Sequence, residues 1–165
     1  MSTNRHAVDK QRWCGSRRCT WRATIDSDSL VLVHAATFEL LAARVATGSS
    51  AVIVLVVYRP GSQTITVQFF AELADVLDRV VAFTDPVIVT GDFNVRLDRA
   101  DDPAAQQMTD LLATYGFVCR VSELTHGRGG LLDVVATRSY QPAPSVEVSR
   151  VMAVIDFFWL VQYVV

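Results

Sequence analysis

Lysine is all but missing from this chain of 165 residues: Lys10 is the only one among 15 basic residues, against 17 acidic ones. The formal net charge is -2. That balance excludes a chain-wide attraction to nucleic acid or to an anionic membrane surface, so any such contact has to be local. Cysteine is scarce. Cys14, Cys19 and Cys119 are an odd number without regular spacing, which argues against a secreted disulfide scaffold. Cys14 and Cys19 stand near His6, but zinc needs four well-spaced ligands and no second Cys or His pair follows. No apolar run reaches the ~18 residues of a membrane span. The two most apolar runs, 51–58 and 151–165, read as buried strands, and Asp156 interrupts the second. The N-terminus has no apolar core of the signal-peptide kind. The expected location is inside the cell, with the nucleus as a candidate compartment.

What is present is apolar sequence in short pieces. Hydrophobic residues make up 51% and charged residues 19%, which suits one globular domain with a real core rather than a disordered chain. Residues 1–28 are the exception. They hold Arg5, Lys10, Arg12, Arg17, Arg18 and Arg22 with few acids and no clear period. They read as a poorly ordered Arg-rich arm, solvated by default, with nucleic-acid contact as the alternative. The domain proper is expected over 29–165.

Within it, residues 29–34 read as a strand, and 37–45 fit strand or helix, with strand favoured. Gly48-Ser49-Ser50 signals a turn. Residues 51–58 are apolar throughout and suit a central strand ended by Arg59-Pro60-Gly61. Over 66–83, Phe69, Leu73, Val76, Leu77, Val80 and Val81 recur at helical spacing. Asp102 and Pro103 are an N-cap and a first helical residue, and Met108, Leu111, Leu112 and Tyr115 would be that helix's buried face before Gly116 ends it. Strands are expected at 117–121, 131–137 and 146–155, and a last one at 157–165. Strands and helices alternate in the middle and strands follow strands towards both ends, which predicts a mixed α/β layered domain.

The chemistry gathers where buried strands end. Val87-Ile88-Val89 runs into Gly91-Asp92-Phe93-Asn94. If the chain stays extended there, the Asp92 and Asn94 side chains point the same way, towards metal, water or phosphate. The other reading is a turn, the commonest use of Asp and Asn. Tyr58 and Asp133 also stand at strand ends, where sites of layered α/β folds collect. Asp156 is a lone acid in an apolar run, and needs a partner, a metal or water.

In order, Val56-Val57-Tyr58-Arg59-Pro60, an amphipathic helix, Gly91-Asp92-Phe93-Asn94, a helix ending in Tyr115-Gly116-Phe117, Thr125-His126 and Leu132-Asp133-Val134-Val135 resemble the endonuclease/exonuclease/phosphatase family. More narrowly, they resemble the endonuclease domain of non-LTR retrotransposon polyproteins. The match spans about 36–160. The resemblance implies a partial four-layer α/β-sandwich, two sheets face to face with helices outside, and Mg²⁺-assisted in-line attack of water on DNA. Asp92 would orient or deprotonate the water. Asn94 would bond the scissile phosphate and fix Asp92. Tyr58 would bring its hydroxyl to the phosphate, and Asp133 would support the site's edge. Asp156 would help to bind metal.

Two departures accompany the match. Phe157 stands where the family has a His, and an aromatic hydrocarbon cannot donate, accept or carry charge. The family's upstream Asn and principal metal-binding Glu have no counterpart; Glu39 falls in the segment after those motifs, and His34 reads as structural. The expectation is therefore a truncated, catalytically impaired nuclease domain. A non-catalytic remnant or nucleic-acid-binding module, and a phosphomonoesterase of the same family, are the alternatives.

Overall fold

The computed structural model describes residues 5–14, 17–26, 31–47, 50–127, 129–143, 145–148 and 160–162. Ten strands and two helices follow one another along these residues: β1 (Arg5–Cys14), β2 (Arg17–Asp26), β3 (Val31–His34), β4 (Glu39–Thr47), β5 (Ser50–Tyr58), α1 (Val67–Val81), β6 (Val87–Asp92), α2 (Pro103–Thr114), β7 (Phe117–Cys119), β8 (Asp133–Arg138), β9 (Ser145–Glu147) and β10 (Leu160–Gln162). The class is mixed α/β, as the alternation of patterns predicts.

One mixed sheet organises the fold, in the order β1-β2-β4-β5-β6-β8-β7, with β3 also paired to β4. Only β5 and β6 run parallel, joined through α1. A parallel pair requires such a crossover. Helix α1 starts at Thr66, whose hydroxyl accepts from the Phe69 N–H at 3.3 Å. Helix α2 starts at Asp102, whose carboxylate accepts from the Ala104 N–H at 2.8 Å, and Gly116 follows it at φ +73°. The cap of α2 stands where the sequence places it.

The two helices lie on one face of the sheet. Phe69, Leu73, Leu77 and Val80 of α1 and Met108 and Leu112 of α2 bury against Ile53, Leu55 and Val57 of β5, Val87 and Val89 of β6, and Val134 and Ala136 of β8. The alternate residues of the same strands face the other way. There Ile88, Val121, Leu131 and Val135 form a smaller cluster, with Val52, Val54, Val146 and Val148 packed on it. Residue alternation in β5, β6 and β8 thus feeds two cores, which explains their unbroken apolar runs.

One place differs from the sequence reading, and two others reach residues that are not described. Residues 5–14 and 17–26, expected in an arm without period, pair as an antiparallel hairpin at the end of the sheet. Their polar residues sit at both parities, so no apolar alternation announces them. Strand β9, Ser145–Glu147, overlaps the start of the stretch 146–155 expected to be a strand, of which 149–155 lie outside the described residues. Asp156 and Phe157 lie outside the described residues.

Candidate active site

Strand register builds the site. Tyr58 at the end of β5 pairs with Asp92 at the end of β6, and Asp92 pairs with Asp133 at the start of β8. Residues paired across a ladder share a face. These three therefore form a row across three neighbouring strands, on the face opposite the helices. Tyr58 is 41% exposed and Asp133 only 7%, so the row runs from open to enclosed. Asp92, between them, is partly buried.

The row continues outwards. Glu39 on β4 pairs with Tyr58, and His34 on β3 pairs with Glu39. The sequence reading gave Glu39 no place in the site. The signal that finds it is the register of β4 on β5, which runs from Thr47↔Ser50 to Glu39↔Tyr58.

Gly91 lets β6 lie against β5. It sits at φ +131°, and a Cβ there would come 1.9 Å from the Val57 carbonyl oxygen. No residue other than glycine satisfies both demands.

Beyond Asp92 the chain turns. Asn94 has φ +51°, so the extended path that would align the two side chains is not taken. Instead the Asn94 N–H donates to Asp92 Oδ1 at 2.9 Å, closing an Asx turn. The Asn94 Nδ2 donates to the Arg59 carbonyl at 2.8 Å.

Arg59, which the sequence reading quoted without a role, secures this turn from beneath. It is 2% exposed. Its Nε donates to the Phe93 carbonyl at 2.7 Å, Nη2 to the Asn94 carbonyl at 2.8 Å and Nη1 to the Gln63 carbonyl at 2.8 Å. The guanidinium lies 5.6 Å from the centre of the Phe69 ring. One side chain thus joins the loop after β5 to the loop after β6, and packs on α1.

Asp133 is set by Thr125, whose hydroxyl accepts from the N–H groups of Leu132 at 3.0 Å and Asp133 at 3.1 Å. The Thr125 and His126 N–H groups both donate to the Gly130 carbonyl. Asp98 accepts from the Leu131 N–H at 2.9 Å and is gripped by Arg96 at 2.7 Å, which holds its carboxyl well below the usual carboxylate range.

Burial raises the Asp92 carboxyl above its ordinary 3.8, and Asp133 beside it adds to the rise. The Asn94 hydrogen bonds and the charge of Arg59 oppose this. An acid poised this way suits a proton-handling role.

Asp92 and Asp133 are hard oxygen donors on adjacent strands, and Mg²⁺ is commonly held by one or two carboxylates with water and phosphate completing its octahedron. These two fit that minimal share. No group of three or more His, Cys, Asp or Glu suited to a metal gathers among the described residues. Among them, too, no helix is long and apolar enough to cross a membrane.

No family model and no curated protein matches the chain by sequence. Solved structures do match by shape. The endonuclease domain of TRAS1, a telomere-specific non-LTR retrotransposon, is 14% identical with a TM-score of 0.51, over 86% of this chain and 73% of that one. The human Nocturnin catalytic domain is 14% identical with a TM-score of 0.49, over 86% of this chain and 62% of that one. An endonuclease/exonuclease/phosphatase family protein from Leptotrichia buccalis is 10% identical with a TM-score of 0.49, over 89% of this chain and 63% of that one. This chain thus spans less than two thirds of the last two. At such identities the likeness is one of fold alone, and it is carried by the TRAS1 endonuclease domain.

Proposed function

We propose that this chain is a nuclease-type domain that retains its phosphate-facing row but hydrolyses DNA poorly or not at all. The observation that carries the reading is the row itself, Tyr58, Asp92 and Asp133 in register across β5, β6 and β8. In the ancestral reaction a bound Mg²⁺ would neutralise charge developing on the phosphate. Asp92 would orient the attacking water and take its proton, helped by its raised affinity for protons. Asn94 would bond the scissile phosphate and hold Asp92, to which its N–H donates. Tyr58, exposed at the outer end, would bring its hydroxyl to a phosphate oxygen. Asp133 would share the cation and steady the inner end.

Two replacements support the impaired side of the reading. Phe157 takes the place of the family's phosphate-facing His, a loss worth about 10²–10⁴ in rate. The family's principal metal-binding Glu has no counterpart among the motifs, since Glu39 falls in the segment after them. Asp156, the metal residue of the resemblance, belongs to the same proposal. What remains suits recognition of a phosphodiester, so a DNA-binding role without turnover is the form this proposal takes if hydrolysis is absent altogether.

Plasmid nicking in Mg²⁺, wild type against Asp92→Ala, tests this. The expected result is nicking at background for both, and a rise of about 10²-fold when Phe157→His restores the imidazole. Robust wild-type nicking that Asp92→Ala abolishes would sink the impaired reading. Phosphate release from a monoester under the same conditions would move the protein to the phosphatase branch.

A further inference from the structure

Among the acids of the row, Glu39 is the most exposed. Its neighbours in sequence are core residues: Phe38 and Leu40 are each 3% exposed. The entry to β4 is anchored just before them, where the Thr37 N–H and hydroxyl donate to Glu72 of α1 at 3.0 and 2.7 Å. A strand begun from so fixed a point holds Glu39 in place beside Tyr58, its partner across the ladder. Tyr58 in turn separates it from Asp92, so Glu39 lies two strands, about 10 Å, from that residue.

The charge on either side of Tyr58 is of one sign. From β4 to β8 the row reads Glu39, Tyr58, Asp92, Asp133, and the next row into the sheet, Leu41, Val56, Thr90 and Val135, is uncharged. Arg59 follows Tyr58 in sequence, but it is buried and its donors go to backbone carbonyls. Arg44 of β4 is engaged with Asp85 at 2.9 Å. A phosphate brought to the Tyr58 hydroxyl therefore meets a carboxylate on each side and no cation in these two rows. Such a place repels a polyanion until a hard cation intervenes. Mg²⁺ gives up its water reluctantly, so an acid too distant to join Asp92 and Asp133 at the ion still meets it through the ion's hydration water.

We propose that Glu39 makes phosphate binding at Tyr58 conditional on a divalent cation. This rests on the phosphate-facing reading of the row. Without the ion, Glu39 and Asp92 flank Tyr58 and turn a phosphodiester away. With it, Glu39 accepts hydrogen bonds from the hydration water and secures the outer end of the row for the phosphate. Glu39 is thus a positioning residue, brought to the row by register rather than by any motif.

Binding of a short labelled DNA duplex to the full chain, followed by fluorescence anisotropy at constant ionic strength in Mg²⁺ and in EDTA, tests it. At pH about 8 an ordinary histidine is neutral, so His34, which pairs with Glu39, adds no charge. Mg²⁺ should tighten wild-type binding about tenfold or more. Glu39→Gln should bind about fivefold tighter than the wild type in EDTA and about fivefold weaker in Mg²⁺, whereas Glu39→Asp, which keeps the carboxylate, should follow the wild type in both. Glu39 is exposed, so Glu39→Gln should keep the wild-type urea midpoint. Asp75→Asn makes the same charge change on the exposed side of α1 and should shift either affinity less than about twofold. Tighter binding of Glu39→Gln in both media reduces Glu39 to plain repulsion and overturns the proposal, as does unchanged affinity in both. A Mg²⁺ effect lost in Asp92→Ala but untouched in Glu39→Gln sinks this inference and leaves the row standing. A wild type indifferent to Mg²⁺ sinks both.

Discussion

A methyl group at residue 91 would meet the Val57 carbonyl oxygen at 1.9 Å, and the backbone there holds φ +131°. Gly91→Ala is therefore expected to cost about 3 kcal/mol or more, visible as a lower urea midpoint, because neither the strand pair nor the dihedral can relax alone. Arg59 makes a second demand. Arg59→Met leaves four carbonyls, of Pro60, Gln63, Phe93 and Asn94, without this donor and should cost about 2–4 kcal/mol by the same measurement. Arg59→Lys retains the charge without the fork and should recover less than half of that. Asp92 offers a pH test. Its folded-state proton affinity is raised by burial, so over the window from its ordinary 3.8 up to the raised value the folded chain holds more protons than the unfolded one. Stability contributed by this group then falls as pH rises through that window. Against Asp92→Asn, the wild type should lose ground as pH climbs from about 4 to neutrality. At this scale the sequence was a fair guide to which residues matter and a poor one to their conformation. Asp92 and Asn94 announce themselves as polar residues at a strand exit. The positive φ of Asn94 depends on a bond to the Arg59 carbonyl, 35 positions away, which no local pattern encodes.

Elements were legible in proportion to the strength of their periodicity and punctuation. Helix α1 has apolar residues at helical spacing and a threonine cap; α2 has Asp102, Pro103 and Gly116 in their proper places. Asp102→Ala should lower stability by about 1 kcal/mol in thermal melts, with the rest of α2 intact. The entrance to β8 has no such signal. Two consecutive N–H groups meet one threonine hydroxyl, and the threonine lies seven and eight residues earlier. Thr125→Val keeps the shape and removes the acceptor, with an expected cost of about 1–3 kcal/mol; Thr125→Ser should restore most of it. Glu72 of α1 plays a similar part for β4, accepting from the Thr37 N–H at 3.0 Å and from its hydroxyl at 2.7 Å. Residues 5–14 and 17–26 went unread because charged residues stand at both parities along them, so no run alternates between apolar and polar.

On the scale of the molecule, the core and the hairpin are joined by little. Two residue pairs connect β2 to β4, whereas nine connect β4 to β5. Removing residues 1–26 is expected to leave the cooperative unfolding of the remainder within about 1 kcal/mol. Because those residues carry more basic than acidic groups, the shortened chain should also be retained longer on an anion exchanger. The site, by contrast, spans the molecule. Its members come from residues 39, 58, 92 and 133, and only strand pairing makes them neighbours. The motifs gave three of these positions; the fourth, Glu39, required knowing which strand lies beside which.

That row also fixes how such a site can change over time. A one-residue slip in a strand sends every following side chain to the opposite face. An insertion within β4, β5, β6 or β8 would therefore remove a member of the row outright, whereas an insertion between β5 and β6 falls in loop or helix and leaves the row standing. Lengths inside the strands are frozen and lengths between them are free. Side chains of the row can be exchanged one at a time while its spacing persists.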